Sequence, residues 1–336
     1  MRQIFIAATL LAGTALPLHA QDTHYPLTLT NCGYEISFDA APDSAVTIGQ
    51  SATEILYSLG LAPKVSGTSV WFNPVLPEFA EVNAGIERLA DNDPSFESVV
   101  AKKPGLVAVQ YEWHVGPDGS VGTREMFHDI GIPTYILPAD CDTKDNSTGG
   151  DGTRTGAFET ASVYKGIREL AEIFDVQAQG AALVSDLQAT EARAIARAKA
   201  LDLPKDLSAV FWFSSPELQT DPYVAGRLGA PGYMMSKLGI ENVIKSDEEW
   251  PTVGWESIAR ADPDVIVIAY MDRRRYPADD VDKKLEFLRS DPVASQMTAV
   301  REGRIVQMDA HAMSATMRSI YGLETLSDAL SKMSFQ

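Results

Sequence analysis

Cysteine is scarce in this sequence of 336 residues, which contains only two, Cys32 and Cys141. The sequence has no CxxC, HExxH or GxSxG motif, so it carries no signature of thiol redox, zinc-protease or serine-hydrolase chemistry. Histidine is also scarce: the sequence has five, and none of them forms an HxH or HxxxH pattern. A dedicated zinc or manganese site is therefore not indicated, and a metal-dependent hydrolase is the weakest of the function classes considered.

Basic residues are also few compared with acidic ones. Lys and Arg total 28 against 46 Asp and Glu, for a formal net charge of -18. A surface of this sign repels nucleic acid and anionic lipid, so neither is an expected partner. The local exception is the triplet Arg273–Arg275. It indicates either a binding site for an anionic ligand or an ordinary solvated loop.

Long hydrophobic runs are absent after the first twenty residues. Arg2, the apolar run from Ile4 to Leu16 and the sequence Leu18-His19-Ala20 have the pattern of a signal peptide over residues 1–20. No cysteine lies at that cleavage site, so we see no lipid-attachment signal. We expect a soluble, exported, periplasmic protein, in which an even cysteine count is compatible with a disulfide between Cys32 and Cys141.

One phrase occurs twice in the sequence. ESVVAKKPGLVAVQY spans 97–111, and ESIARADPDVIVIAY spans 256–270. The unbroken apolar runs LVAV and VIVIA are typical of strands buried on both faces of a parallel sheet. The order βαβαβ can be followed through each half of the chain, starting at Ser44-Ala45-Val46 and Ser208-Ala209-Val210. The repeat predicts an α/β protein with two doubly wound, Rossmann-like lobes.

The segment between the two repeats has a different composition. Residues 160–203 are rich in Ala, Glu, Leu, Lys, Arg and Gln, with apolar residues at helical spacing. We predict a long helical connector there, interrupted near Asp175, which joins an N-terminal lobe (21–159) to a C-terminal lobe (204–336). A polar, glycine-rich loop at 140–156 precedes it and lacks the Lys-Ser/Thr of a phosphate loop.

The chain resembles the class III periplasmic substrate-binding proteins, which serve ATP-driven importers of ferric siderophores and vitamin B12. The resemblance is carried by APDSAVTIGQSATEILYSLGL, FESVVAKKPGLV, GIPTYIL and EEWPTVGWESIARADPDVIV. It implies a monomeric binding protein without a cofactor of its own, a ligand cleft between two lobes and an ABC permease dimer as partner. A ferric siderophore is the expected ligand, and a corrinoid, haem or another metal complex is the alternative.

The resemblance also implies a role for the glutamate that begins each repeat. In this family, one glutamate at the tip of each lobe docks on the permease, and Glu97 and Glu256 match those positions. The alternative is that both are simply acids in the first turn of a helix, where negative charge is favoured. Glu54 differs, because Ser51 and Glu54 have the spacing of a helix capping box.

Candidate ligand contacts come from the loops expected to follow the strands, since ligands of α/β sheets bind beyond the carboxyl ends of the strands. Aromatic residues supply broad apolar contact, and arginines supply forked donors for anionic oxygens. Each aromatic could equally be a core residue, and Arg318 could be structural. The predicted ligand-binding residues are Trp71, Tyr111, Trp113, Trp212, Trp250, Arg273, Arg275, His311 and Arg318.

Overall fold

The computed structural model describes residues 22–147, 152–274 and 276–335. The predicted signal peptide and Arg275 lie outside these ranges. In the part of the chain that is described, no helix is long and apolar enough to cross a membrane.

The N-terminal lobe contains a five-stranded parallel sheet preceded by a hairpin. The hairpin strands are β1 (Leu27–Asn31) and β2 (Tyr34–Phe38). The sheet has the order β5-β4-β3-β6-β7. Its strands and intervening helices are β3 (Ala45–Ile48), α1 (Gln50–Ser58), β4 (Val65–Ser69), α2 (Ala80–Ala84), β5 (Arg88–Ala90), α3 (Phe96–Val100), β6 (Leu106–Val109), α4 (Arg124–Asp129) and β7 (Thr134–Ile136).

A small antiparallel hairpin follows this sheet and is tied to the first one by a disulfide. Its strands are β8 (Lys144–Asp145) and β9 (Thr153–Arg154). Cys32, in the turn between β1 and β2, is bonded to Cys141, and their Cα atoms are 5.7 Å apart. The disulfide considered from the sequence is therefore confirmed, and it holds the loop before β8 against the N-terminal hairpin.

Two helices connect the lobes. They are α5 (Ala161–Ile173) and α6 (Gln177–Ala200). They are separated at Asp175, whose φ of 58° is incompatible with continuing a right-handed helix. With 24 residues, α6 is about 36 Å long. It packs against the last helix of the chain, where Ser327 Oγ donates to the carbonyl oxygen of Ala194 at 2.8 Å.

The C-terminal lobe is built around a second sheet. Its central strands lie in the order β11-β10-β13-β14, with β12 also paired to β10, and all pairings except that of β11 are parallel. The elements are β10 (Ser208–Ser214), β11 (Tyr223–Val224), α7 (Ala230–Leu238), β12 (Glu241–Asn242), α8 (Trp255–Ala261), β13 (Val265–Tyr270), α9 (Val281–Ser290), α10 (Thr298–Arg301), β14 (Ile305–Asp309) and α11 (Arg318–Leu330).

The repeated phrase folds in the same way in both lobes. Its first residues form the short helices α3 and α8, and its apolar runs form β6 and β13 in the sheet interiors. All four residues of β6 are buried, as are the first five of β13. Strands that are covered by helices on both sides must be apolar on both faces, which explains the unbroken runs. The predicted two-lobed α/β class is confirmed.

Candidate functional site

A cleft of about 1140 Å³ lies between the two lobes, at the carboxyl ends of their strands. On the N-terminal side it is lined by Val70, directly after β4, and by Gln110, directly after β6. On the C-terminal side it is lined by Ser214, the last residue of β10, and by Met271, directly after β13. Both sheets therefore direct their strand-end loops into one space, as expected for ligand sites in open α/β folds.

Aromatic side chains line both walls of the cleft. Phe213 and Trp250 pack against each other in one wall, with ring centroids 4.5 Å apart. In the opposite wall the centroids of Tyr111 and Trp113 are 6.3 Å apart. Such side chains offer large apolar contact areas and lose few rotamers on binding. The seven lining aromatics are Phe72, Tyr111, Trp113, Phe213, Tyr223, Trp250 and Tyr276.

The charged side chains in the cleft are largely paired with one another. Lys144 Nζ lies 2.7 Å from Asp140, and Arg154 Nε lies 3.1 Å from Glu249 on the other lobe. Arg273 also reaches across the lobes: its backbone N–H donates to Phe72 O at 3.0 Å, and its guanidinium lies 4.9 Å from the Phe72 ring centroid. These contacts give the cleft walls fixed positions.

A buried ionic network joins the lobes behind the cleft. The guanidinium of Arg318 in α11 binds Glu54 in α1, with Nε 2.9 Å from Oε2, and also pairs with Asp309. Burial acts to lower the pKa of Arg318, but hydrogen bonds and charges from Glu54 and Asp309 outweigh it and raise that pKa. Arg318 therefore stays charged, and the network fixes one lobe against the other.

The predicted capping role of Glu54 is wrong. The N-cap of α1 is Gly49, with a φ of 125°, and no side chain of the Ser51–Glu54 pair caps the helix. The first turn is instead capped by Gln110, directly after β6, whose Oε1 accepts from the Ser51 N–H at 2.8 Å. A Cβ at position 49 would lie 2.2 Å from Gln110 Cβ, so glycine is required there.

His311 and His114 are both buried and have partners within the protein. His311 is fully buried, its Nε2 is 3.0 Å from Gln110 Nε2 and 3.2 Å from Gln110 Oε1, and burial lowers its pKa to about 3. His114 lies against Asp93, with 3.3 Å between Nε2 and Oδ1, and the interaction with this ring lowers the Asp93 pKa. Among the described residues, no group of three or more His, Cys, Asp or Glu side chains is arranged to hold a metal ion.

Four of the nine predicted ligand residues line the cleft, namely Tyr111, Trp113, Trp250 and Arg273. His311 and Arg318 lie behind it, in the lobe–lobe contacts. Trp71 and Trp212 are buried away from it, with their indole N–H groups bonded to Thr68 and Ser215.

The cleft is reached instead by the neighbour of each buried tryptophan, Phe72 and Phe213. In β10, successive residues point to opposite sides of the sheet, so Trp212 and Phe213 cannot both face the cleft. Sequence reasoning also missed Arg154 and Glu249, since the hairpin and loop that place them have no periodic pattern.

The two glutamates that begin the repeats are exposed on opposite lobes. Glu97 is the second residue of α3, whose N-cap Ser95 accepts from the Ser98 N–H at 3.2 Å. Glu256 is the second residue of α8. Within the described ranges, neither carboxylate has an ion-pair or hydrogen-bond partner. Both are therefore free to meet another molecule.

Comparison with known proteins identifies the family. The family model described as periplasmic binding protein matches residues 46–312, which include most of both lobes and the whole connector. The chain belongs to the periplasmic binding protein family. The resemblance noted from the sequence is confirmed.

Individual relatives cover nearly the whole chain. An uncharacterised ABC transporter substrate-binding lipoprotein, YvrC, of Bacillus subtilis is 24% identical over 97% of this chain and 95% of its own length. An ABC-type Fe³⁺-hydroxamate transport system structure from Saccharomonospora viridis is 26% identical, with a TM-score of 0.70 over 91% of this chain and 99% of its own. A periplasmic binding protein from Veillonella parvula is 21% identical, with a TM-score of 0.72 over 92% and 98%.

Proposed function

We propose that this chain is the periplasmic substrate-binding protein of an ABC importer and that it captures a metal chelate, with a ferric siderophore as the favoured ligand. Family membership supports the transport role, and the Bacillus relative is itself named as an ABC transporter substrate-binding protein. The similarity to an Fe³⁺-hydroxamate transport protein supports the ligand class. The chain would bind and release this ligand without changing it chemically.

The size and lining of the cleft support this proposal most strongly. A space of about 1140 Å³ is slightly larger than the roughly 300–1000 Å³ usual for small-molecule sites and far larger than a bare metal ion. Its seven aromatic side chains suit the carbon framework of an organic chelator. The same aromatic walls suit a flat macrocycle, so haem or a corrinoid is the second candidate.

Fluorescence titration tests ligand capture directly. Trp113 and Trp250 line the cleft, so a bound ferric chelate should quench their emission, whereas free Zn²⁺ or Mn²⁺ should not. Trp113→Ala and Trp250→Ala should each weaken chelate binding by about 1–3 kcal/mol, because each removes an aromatic contact. Trp212→Phe is the matched control. Because Trp212 is buried beside Trp255 and does not line the cleft, this substitution should leave the affinity for the chelate unchanged. Tight binding of the free ions with no response to chelates would reject the proposal.

We also propose that Glu97 and Glu256 dock the loaded protein on the two halves of a permease dimer. Each is an exposed acid at the start of a helix, and the two are carried by the same phrase of the repeat in different lobes. Because α5, α6 and the Arg318 network fix the lobes, the two charges are held at a constant separation. Exposed interface charges act mainly on the association rate and on recognition.

Transport assays with charge variants test this docking role. Glu97→Ala and Glu256→Ala should leave ligand affinity unchanged and slow uptake by the reconstituted importer, and high salt should have a similar effect. Glu81→Ala and Asp282→Ala are matched controls, because both also remove an exposed acid from the first turn of a helix, one in each lobe. Full transport by the Glu97/Glu256 double variant would show that both are ordinary helix-start acids.

A further inference from the structure

The charges that line the cleft nearly cancel. Three of the four lining cations have a carboxylate within ion-pair distance, and Arg273 instead donates to the carbonyl of Trp71 and to Asn92. Over the described lining, five carboxylates face four cations, for a formal charge of -1: Asp91, Asp93, Asp140, Glu249 and Asp279 against Lys144, Arg154, Arg273 and Arg274. The described walls therefore offer no net positive charge to a ligand.

The most deeply buried of these pairs connects the two lobes. Arg154, at the end of β9, meets Glu249, which precedes α8, and only 1% and 8% of their side-chain surfaces are exposed. Arg154 Nη2 also donates to Ala139 O at 3.3 Å, but among the described residues neither Nε nor Nη1, both buried, has a hydrogen-bond partner. Arg154 thus retains donor capacity, and among the described residues Glu249 is the carboxylate that pairs with its charge, in a setting where charges interact strongly.

We propose that Glu249 is a specificity-determining residue that neutralises Arg154 and so makes the cleft select metal chelates of zero net charge over anionic ones. The inference rests on the proposed function, in which the ligand is a metal chelate. Three hydroxamate monoanions neutralise Fe³⁺, whereas three catecholate dianions leave a net negative charge. An anionic chelate would lose hydration on entry and find Arg154 already paired, in a protein with a net charge of -18.

Two substitutions with opposite charge effects test this selection. Glu249→Gln leaves Arg154 uncompensated, so it should raise the affinity for a ferric tris-catecholate, relative to a ferric tris-hydroxamate, about tenfold. Arg154→Gln should shift the same ratio the other way. The double variant removes both charges and should return the ratio to near the wild-type value. Calorimetric titration of the full chain with the two chelates measures all four ratios.

A surface charge variant controls for the change in net charge. Asp247 pairs with Arg227 on the exposed surface and does not line the cleft, so Asp247→Asn should leave the ratio unchanged. Thermal melts verify that each variant is folded. Should Glu249→Gln fail to fold, the shift in Arg154→Gln and its reversal in the double variant decide the question.

Three results would overturn the selection role. One is a wild-type protein that prefers the catecholate chelate, a result that leaves chelate capture itself intact. Another is that neither Glu249→Gln nor Arg154→Gln changes the ratio of catecholate to hydroxamate affinity. The third is a double variant that does not recover the wild-type ratio, because a merely structural ion pair would remain broken in it. If the wild-type protein binds neither chelate, the selection role and the proposed function fail together.

Discussion

Replacing Glu54 with alanine should destabilise the protein by about 3 kcal/mol, because the change leaves a buried cation without its main partner. Glu54 is completely buried, and Arg318 is 7% exposed. Besides the Arg318 bond, the Glu54 carboxylate accepts from Gln50 Nε2 at 3.1 Å and from the Leu76 N–H at 3.2 Å. Since Arg318 keeps Asp309 and the carbonyl of Pro74, we place the cost at the low end of the range for broken buried pairs.

Chemical denaturation followed by tryptophan fluorescence measures this cost. Ser51→Ala is the matched control in the same helix. Ser51 Oγ is buried and has no hydrogen-bond partner in the part of the chain that the structure describes, so its removal should change stability by less than about 1 kcal/mol. A capping box would give a different result, with a similar loss of about 1 kcal/mol for either residue. Equal, small losses in the two variants would refute the interlobe network as the role of Glu54.

Two further predictions concern stability. Burial lowers the pKa of His311 from about 6.5 in the unfolded chain to about 3 in the folded protein. The free energy of unfolding is therefore unaffected by this group above pH 6.5. It falls by up to about 1.4 kcal/mol per pH unit as the pH drops from 6.5 toward 3, because the unfolded chain binds a proton there that the folded protein does not. The pH dependence of unfolding should be shallower in His311→Gln, and identical slopes would contradict this. The disulfide closes a loop of 109 residues, so Cys32→Ser with Cys141→Ser should cost about 2–5 kcal/mol in denaturation experiments, and no loss would contradict its structural role.

Much of the fold could be predicted from the sequence because buried parallel strands leave a strong local pattern. The runs that form β6 and β13 had to be apolar on both faces, and this property is visible without any partner. The break at Asp175 was visible as an interruption of helical spacing, and the structure adds the positive φ that causes it.

The cleft was only partly predictable, because the lining depends on which way a side chain points. Trp71 and Phe72 are adjacent and both aromatic, yet of the two only Phe72 lines the cleft. The partnership of Glu54 with Arg318 spans 264 residues, so the local spacing of Ser51 and Glu54 was misleading. Arg154 owes its place to a two-strand hairpin held near the cleft by the Cys32 disulfide, a tertiary arrangement without a periodic signal.

Native mass spectrometry of the protein, isolated with the ligand it retains from its host, tests the central claim most directly. The account predicts one adduct per chain, with a mass and isotope pattern that match an organic metal chelate and that disappear on denaturation. An adduct of a bare metal ion, or a protein that stays unliganded after incubation with ferric hydroxamate, catecholate and haem, would contradict it.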